Sequence, residues 1–282
     1  MSNTMGSHPK IGRDRRIQQD RRRPTSIPSP AELDRALAES EIQILFQPQF
    51  AASDDRLVGA EALARWQHPE RGSLGVGQLF AIAGHVGRVP ELSSHLVRRA
   101  LAAAMDWPAP HSGPLGATLG LSLNVTAADV ASGCFAETIL NAVADARFAP
   151  DRLTLEITEH VLVNDLTGSS AQLEMLAQRG IAIELDDFGA GFCNFHYLKR
   201  LPLHGLKLDR SMIDGIDEDP RDLAVLRGIL AMARALNLEV TAEGVEHLSQ
   251  RNVIAREGCT RWQGFLGARP LSAEAFAALA RG

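Results

Sequence analysis

The chain has 282 residues, of which 45% are hydrophobic, 22% charged and 5% aromatic. These are ordinary values for a globular protein, and the longest apolar runs, such as Ala100 to Met105, fall well short of the roughly 20 residues a membrane helix needs. The net charge of -5 divides unevenly, because residues 1–30 hold seven Lys/Arg against Asp14 and Asp20, which leaves +5 there and -10 in the remainder. An acidic body with few aromatics argues against binding to a DNA or RNA duplex, which rests on phosphate neutralisation by Lys and Arg.

In chain order, residues 1–30 are rich in Arg, Gln, Ser and Pro and end in Pro24-Thr25-Ser26-Ile27-Pro28-Ser29-Pro30. Such a segment cannot bury enough apolar surface to offset its ordering entropy, so a disordered basic arm is expected. Its basic residues are not followed by an apolar stretch, so no secretory leader is read and a cytoplasmic location is expected. Cys134, Cys193 and Cys259 are too few and too scattered for a disulfide framework and are read as reduced thiols. Residues 31–282 are expected to form a single domain. Ser29-Pro30 has the form of a helix N-cap and first turn, opening a helix through about Ala38.

Strands are predicted over Ile42–Gln47, Leu57–Leu63, Leu119–Asn124, Leu153–Ile157, Ile181–Leu185, Gly205–Leu208, Leu238–Ala242 and, more weakly, Thr260–Gln263. Helical stretches lie between them at Glu91–Met105, Ala136–Ala146, Ser170–Arg179, Arg221–Leu236 and Ser249–Glu257, with Gly180 and Gly258 placed as C-terminal caps. Eight strands alternating with helices in one pass predict an α/β fold of TIM-type (β/α)8 barrel architecture.

A barrel of this kind gathers its functional side chains at the C-terminal ends of the strands. The polar residues at or near those ends are Gln47, Glu61, Asn124, Glu156, Asp186 with Asp187, Lys207, Glu243 and Gln263. Glu61, Glu156, Asp186 and Glu243 sit in or beside largely apolar runs, and gathering four carboxylates on one face is prohibitive unless a cation neutralises them. Oxygen ligands with one amide suit hard ions such as Mg²⁺ or Mn²⁺. The adjacent pair Asp186-Asp187, which enters a glycine-bearing loop, has the form of a bridge between two metals suited to in-line attack on phosphorus. Lys207 alternates with apolar residues in Leu206-Lys207-Leu208-Asp209, so it can face the barrel mouth and hold or deprotonate an attacking water.

The ordered set closely resembles the EAL-domain family of cyclic di-GMP phosphodiesterases over roughly Glu41 to Pro270. The resemblance runs through Gln47-Pro48, Glu61-Ala62-Leu63-Ala64-Arg65-Trp66, Asn124, Leu155-Glu156-Ile157-Thr158-Glu159 and Asp186-Asp187-Phe188-Gly189. It continues through Leu206-Lys207-Leu208-Asp209, Ala242-Glu243-Gly244-Val245-Glu246 and Gln263-Gly264-Phe265. It implies a modified (β/α)8 barrel with two divalent cations, Mg²⁺ or Mn²⁺, that hydrolyses cyclic di-GMP to linear pGpG. By the same resemblance Glu61, Asn124, Glu156 and Asp186 hold one metal, Asp186 and Asp187 the second, and Lys207 positions or activates the water. Glu243 and Gln263 complete the metal and water shell, Gln47 and Arg65 contact substrate, and Glu159 anchors the loop after Asp187. A homodimer through the face near that loop, and an upstream sensor or partner protein, are the partners it implies.

The loop departs from the family's usual sequence at Ala190 and Cys193, Gly84 stands where the family commonly has glutamate, and Val76 and Phe46 replace a usual proline and tyrosine. Every implied metal ligand is kept, so the loop changes are expected to weaken or retune loop coupling rather than delete the metal site, and Gly84 and Val76 to alter substrate-side packing or dimer contacts. His68 reads as a structural hydrogen bonder. The main competing reading is a catalytically silenced receptor or interaction module with the same fold; another metal-dependent barrel enzyme would explain the carboxylates but not the ordered motifs.

Overall fold

The computed structural model describes residues 29–39, 41–107, 118–131, 133–158, 166–191 and 195–281. The basic arm expected over residues 1–30 falls almost wholly outside them. The chain enters with helix α1 (Pro30–Ala38), then strands β1 (Ile42–Ala51), β2 (Leu57–His68) and β3 (Gly72–Gly75), and helices α2 (Gly77–His85) and α3 (Val89–Met105). Next come β4 (Gly120–Val125), α4 (Ala127–Val130), α5 (Phe135–Ala146), β5 (Leu153–Thr158), α6 (Leu166–Ala177), β6 (Ala182–Phe188) and α7 (Phe195–Arg200). The chain closes with β7 (Gly205–Leu208), α8 (Pro220–Ala235), β8 (Glu239–Ala242), α9 (Leu248–Glu257), β9 (Arg261–Trp262) and α10 (Ala273–Arg281).

The sheet order is β1-β9-β8-β7-β6-β5-β4-β2-β3, and a further pairing of β1 with β2 closes eight of the strands into a ring. Strand β3 stays outside the ring, as a hairpin partner of β2. From β2 through β4 to β9 the ring is parallel, but β1 runs antiparallel to both β2 and β9. The reason is loop length. Only residues 52–56 separate β1 from β2, whereas parallel neighbours need a crossover of about a dozen residues or more. The barrel is therefore the modified (β/α)8 form.

Strand β1 also runs past Pro48, where the sequence pattern ends it at Gln47. The Phe46 amide donates to the Leu271 carbonyl at 2.8 Å, on the side away from β2. Two residues on, the Pro48 nitrogen faces that same side, so its missing N–H costs the β1–β2 ladder nothing.

Two separate cores result. The larger lies between the ring and its helices and includes Leu121, Leu155, Ile183, Leu206 and Leu230, together with Phe46 set edge-on to Trp107 at 5.2 Å. The smaller gathers Leu33, Ile42, Trp66, Leu79, Ile82 and Leu92 beneath α1, α2 and α3. Gly180 and Gly258 end α6 and α9 with positive φ, as their C-cap positions require.

Partly buried polar contacts fasten α1 to β2 over the smaller core. The His68 ring is buried, and its Nδ1 accepts the backbone N–H groups of Glu70 at 3.1 Å and Arg71 at 3.2 Å. The ring proton therefore sits on Nε2 and is donated to Glu32 at 2.8 Å. The Ser29 backbone N–H donates to the same carboxylate, with His68 and Arg71 beside it, and the Glu32 carboxyl is held down at about 2. A carboxyl lowered on folding stabilises the fold above its unfolded value, and that stability is lost as pH falls towards the folded one. Glu32→Gln should therefore lower stability by about 1 kcal/mol near neutral pH. The gap to wild type should close as pH falls from about 4.5 towards 2, which thermal melts at a series of pH values would measure.

Candidate active site

Side chains alternate across a strand, so every second residue of the ring faces its interior. Register then sets the interior layers: Gln47 lies opposite Glu61, Glu61 beside Ser122, Asn124 beside Glu156, and Glu156 beside Glu184. Lys207 lies beside Thr241 on the far wall. The usual filling of such a barrel is branched apolar side chains; here it is mostly polar.

At the centre stands the Lys207 ammonium, 1% exposed. Its Nζ lies 2.6 Å from Glu243 Oε1, 2.7 Å from Glu156 Oε2, 3.2 Å from Asp186 Oδ1 and 3.4 Å from Glu61 Oε2. These carboxylates come from four different strands or strand ends, so the lysine ties the ring together across its axis. Amides complete the set. Asn124 donates to Glu61 Oε1 at 2.6 Å, and Gln263 Nε2 donates to Glu61 Oε2 at 2.8 Å and to Glu243 Oε1 at 2.9 Å. Beneath them the buried Gln49 donates to Gln263 Oε1 at 3.1 Å and to Ser122 at 3.5 Å.

The electrostatics follow from four acids sharing one cation. Burial works against the Lys207 charge, but Glu156, Glu61, Glu243 and Asp186 outweigh it and hold the ammonium protonated well above its ordinary range. Burial pushes the Glu156 carboxyl far up, with the Glu61 charge adding to it. Burial, with Asp186 and Glu61 beside it, also raises the Glu243 carboxyl to about 7, although Lys207 opposes the rise. Glu61 goes the other way: burial is outweighed by Lys207 and by the amides of Gln263 and Asn124. Asp187 is raised by partial burial and by its neighbour Asp186.

The donor set fits a divalent cation. One oxygen from each of Asp186, Asp187 and Glu243 lies within 4.8 Å of the others. Glu156 Oε1 is buried without a hydrogen-bond donor, an arrangement that folded proteins rarely leave uncompensated. Asp187 holds φ at 56°, a left-handed conformation unusual for a residue other than glycine, at the register shift between Leu185 and Phe188 where β6 pairs with β7. Gly189 follows at φ 104°, where a Cβ would come within 2.4 Å of Met212 Cγ.

Of the other residues singled out from sequence, Gln47 is half-buried beside Glu61. Arg65 stands apart from the carboxylates, four residues beyond Glu61 on the same face of β2. Its Nη1 donates to the Ala64 carbonyl at 2.9 Å, and with Asn124 it borders a largely apolar cavity of about 510 Å³ between the ring, α3 and α5. Glu159 and Cys193 lie outside the described residues. The sequence pattern passed over Gln49 and Ser122. The signal for both was the period-2 alternation that places Gln49 on the face of Gln47, and Ser122 on the face of Asn124.

A ring of buried carboxylates around one lysine, at the mouth of a β/α barrel, defines a barrel protein whose acidic cluster could hold a metal ion. The EAL domain family model matches residues 31–270, and the chain belongs to that family. It is 34% identical over 244 residues to the bifunctional diguanylate cyclase/cyclic di-GMP phosphodiesterase MucR of Pseudomonas aeruginosa, a match that covers 86% of this chain and 35% of MucR. It is likewise 34% identical over 240 residues to the cyclic di-GMP phosphodiesterase NbdA of the same organism, covering 85% of this chain and 30% of NbdA. The chain thus spans about a third of the length of these curated relatives. Among solved structures, the PaMucR phosphodiesterase in complex with c-di-GMP superposes with a TM-score of 0.77 at 33% identity, over 87% of this chain and 98% of that one.

Removing one partner from a buried ionic cluster leaves the others uncompensated, at a cost of about 3–5 kcal/mol. Lys207→Met should therefore destabilise the metal-free protein by about 3 kcal/mol or more, and added Mg²⁺ should recover part of the loss. Denaturant melts with and without the ion test this, and wild-type stability in the metal-free variant would refute the central role of the ammonium.

Proposed function

We propose that the chain hydrolyses one phosphodiester bond of cyclic di-GMP to give linear pGpG, with two divalent cations, Mg²⁺ or Mn²⁺, in the carboxylate ring. The observation that carries this reading is the set of four carboxylates converging on the single buried Lys207 in a chain of the EAL domain family. Relatives of this chain are named as cyclic di-GMP phosphodiesterases.

In this reading Glu61, Asn124, Glu156 and Asp186 hold one cation, and Asp186 with Asp187 and Glu243 hold the second. Such ions, when bound, polarise the phosphate and acidify a water. The Lys207 ammonium, central to these carboxylates, donates to the attacking water and orients it. Glu243, 2.6 Å from that ammonium, is the adjoining carboxylate that accepts the water's proton at Oε. Gln263 acts through its nitrogen, which keeps Glu61 and Glu243 in place. Gln47 contacts the substrate beside Glu61, and Arg65 presents paired guanidinium donors to a phosphate.

The test is product analysis with purified protein and cyclic di-GMP under Mg²⁺ and Mn²⁺. Formation of pGpG supports the reading; binding without pGpG would make the domain a receptor instead. Glu61→Ala should abolish turnover while leaving the fold intact, and normal activity in that variant would refute the ligand assignment. The reading includes a homodimer through the face by the Asp187–Gly191 loop, where Phe195 is 56% exposed. Phe195→Ser should then shift sedimentation from dimer to monomer.

A further inference from the structure

Gln49 is 3% exposed and lies one layer below the carboxylate ring, on the reversed strand β1. Its Nε2 donates to Gln263 Oε1 at 3.1 Å, and Ser122 Oγ lies 3.5 Å away on β4. The same Gln263 amide donates both of its hydrogens upward, to Glu61 at 2.8 Å and Glu243 at 2.9 Å. A primary amide has two ends of opposite character, and two carboxylates accept only from the nitrogen. Before a cation binds, those carboxylates alone hold the nitrogen towards them. Once their charge is neutralised that preference fades, and an amide oxygen becomes a competent ligand for a hard ion. Turning the Gln263 amide over would then require Gln49 to turn with it, because with Gln49 as it stands the flip sets Gln263 Nε2 against Gln49 Nε2, donor to donor.

We propose that Gln49 is a positioning residue: it locks the Gln263 amide with its nitrogen towards Glu61 and Glu243, so that Gln263 acts as a hydrogen-bond donor to the metal-binding carboxylates and not as an oxygen ligand. Gln49 reaches neither the carboxylates nor the reacting atoms, and it acts through Gln263. Its effect on turnover rests on the phosphodiesterase reading above; its effect on the amide does not.

Gln49→Met keeps the length and approximate volume of the side chain and removes the donor. Gln49→Glu puts an acceptor in the donor's place. The experiment compares the Gln263 side-chain NH₂ signals of the full chain, labelled with ¹⁵N-glutamine and assigned by their loss in Gln263→Leu, before and after addition of Mg²⁺. In wild type both hydrogens should stay protected from exchange when Mg²⁺ is added. In Gln49→Met the protection should be lost on adding Mg²⁺, and in Gln49→Glu it should be lost even without the ion. Gln263 signals in Gln49→Met that match wild type with and without Mg²⁺ would overturn the proposal, and if that variant fails to fold, matching signals in Gln49→Glu would do the same. For turnover of cyclic di-GMP, Gln49→Met should lower kcat by about tenfold at unchanged KM, the usual scale for a residue that orients metal ligands. An unchanged kcat together with wild-type NH₂ protection counts against Gln49. A wild-type chain that makes no pGpG counts against the phosphodiesterase reading alone, because the amide signals are read without turnover.

Discussion

A single ammonium has to balance the inside of this barrel. The Lys207 Nζ lies within 3.4 Å of oxygens from four carboxylates and is shut away from water. Charges in such surroundings interact strongly, and each costs several kcal/mol to desolvate if left uncompensated. One lysine cannot neutralise four acids. Raised carboxyl groups at Glu156 and Glu243 reduce the remaining negative charge, and a bound cation would offset more of it. The feature that makes the interior costly to fold is therefore the same feature that would favour a metal there.

The strand arrangement serves that balance. An all-parallel ring would bring every strand's C-terminal end to the mouth, but β1 is reversed and runs in the wall in the opposite sense. Its two inward glutamines consequently stand at different depths: Gln47 opposite Glu61, and Gln49 opposite Gly59, below the carboxylates. The deeper amide completes a chain of hydrogen bonds from Ser122 through Gln263 to Glu61 and Glu243. Connected polar groups of this kind hold one another in orientation, and a break at one member leaves a buried neighbour unsatisfied.

Much of this was legible in the residues. The eight ring strands and the polar residues that end them follow from apolar runs punctuated by glycine and proline, because a strand buried on both faces has few other ways to be written. Glu61, Glu156, Asp186, Lys207 and Glu243 stood out as charges in apolar company, and the structure brings them together. The direction of β1 was not read, although the short connection at residues 52–56 carried the information. Proline at position 48 ended the predicted strand too soon, and with it went Gln49, whose partners are 73 and 214 residues away in sequence. Strand β3 and helix α2 were missed because Gly72–Gly75 and Gly77–His85 lack a strong period of their own; they are held by Trp66 and the smaller core.

Strand β2 belongs to both cores. Ala60 is buried in the larger, Trp66 is buried in the smaller, and Glu61 projects between them into the ring. Close-packed cores resist compression, so the strand behaves as a beam clamped at two points. A shift of one core against the other cannot be absorbed by a loop; it must tilt the beam, and the Glu61 carboxylate tilts with it. Helix α1, pinned to the outer clamp through Glu32 and His68, is thus mechanically in series with a side chain deep inside the barrel.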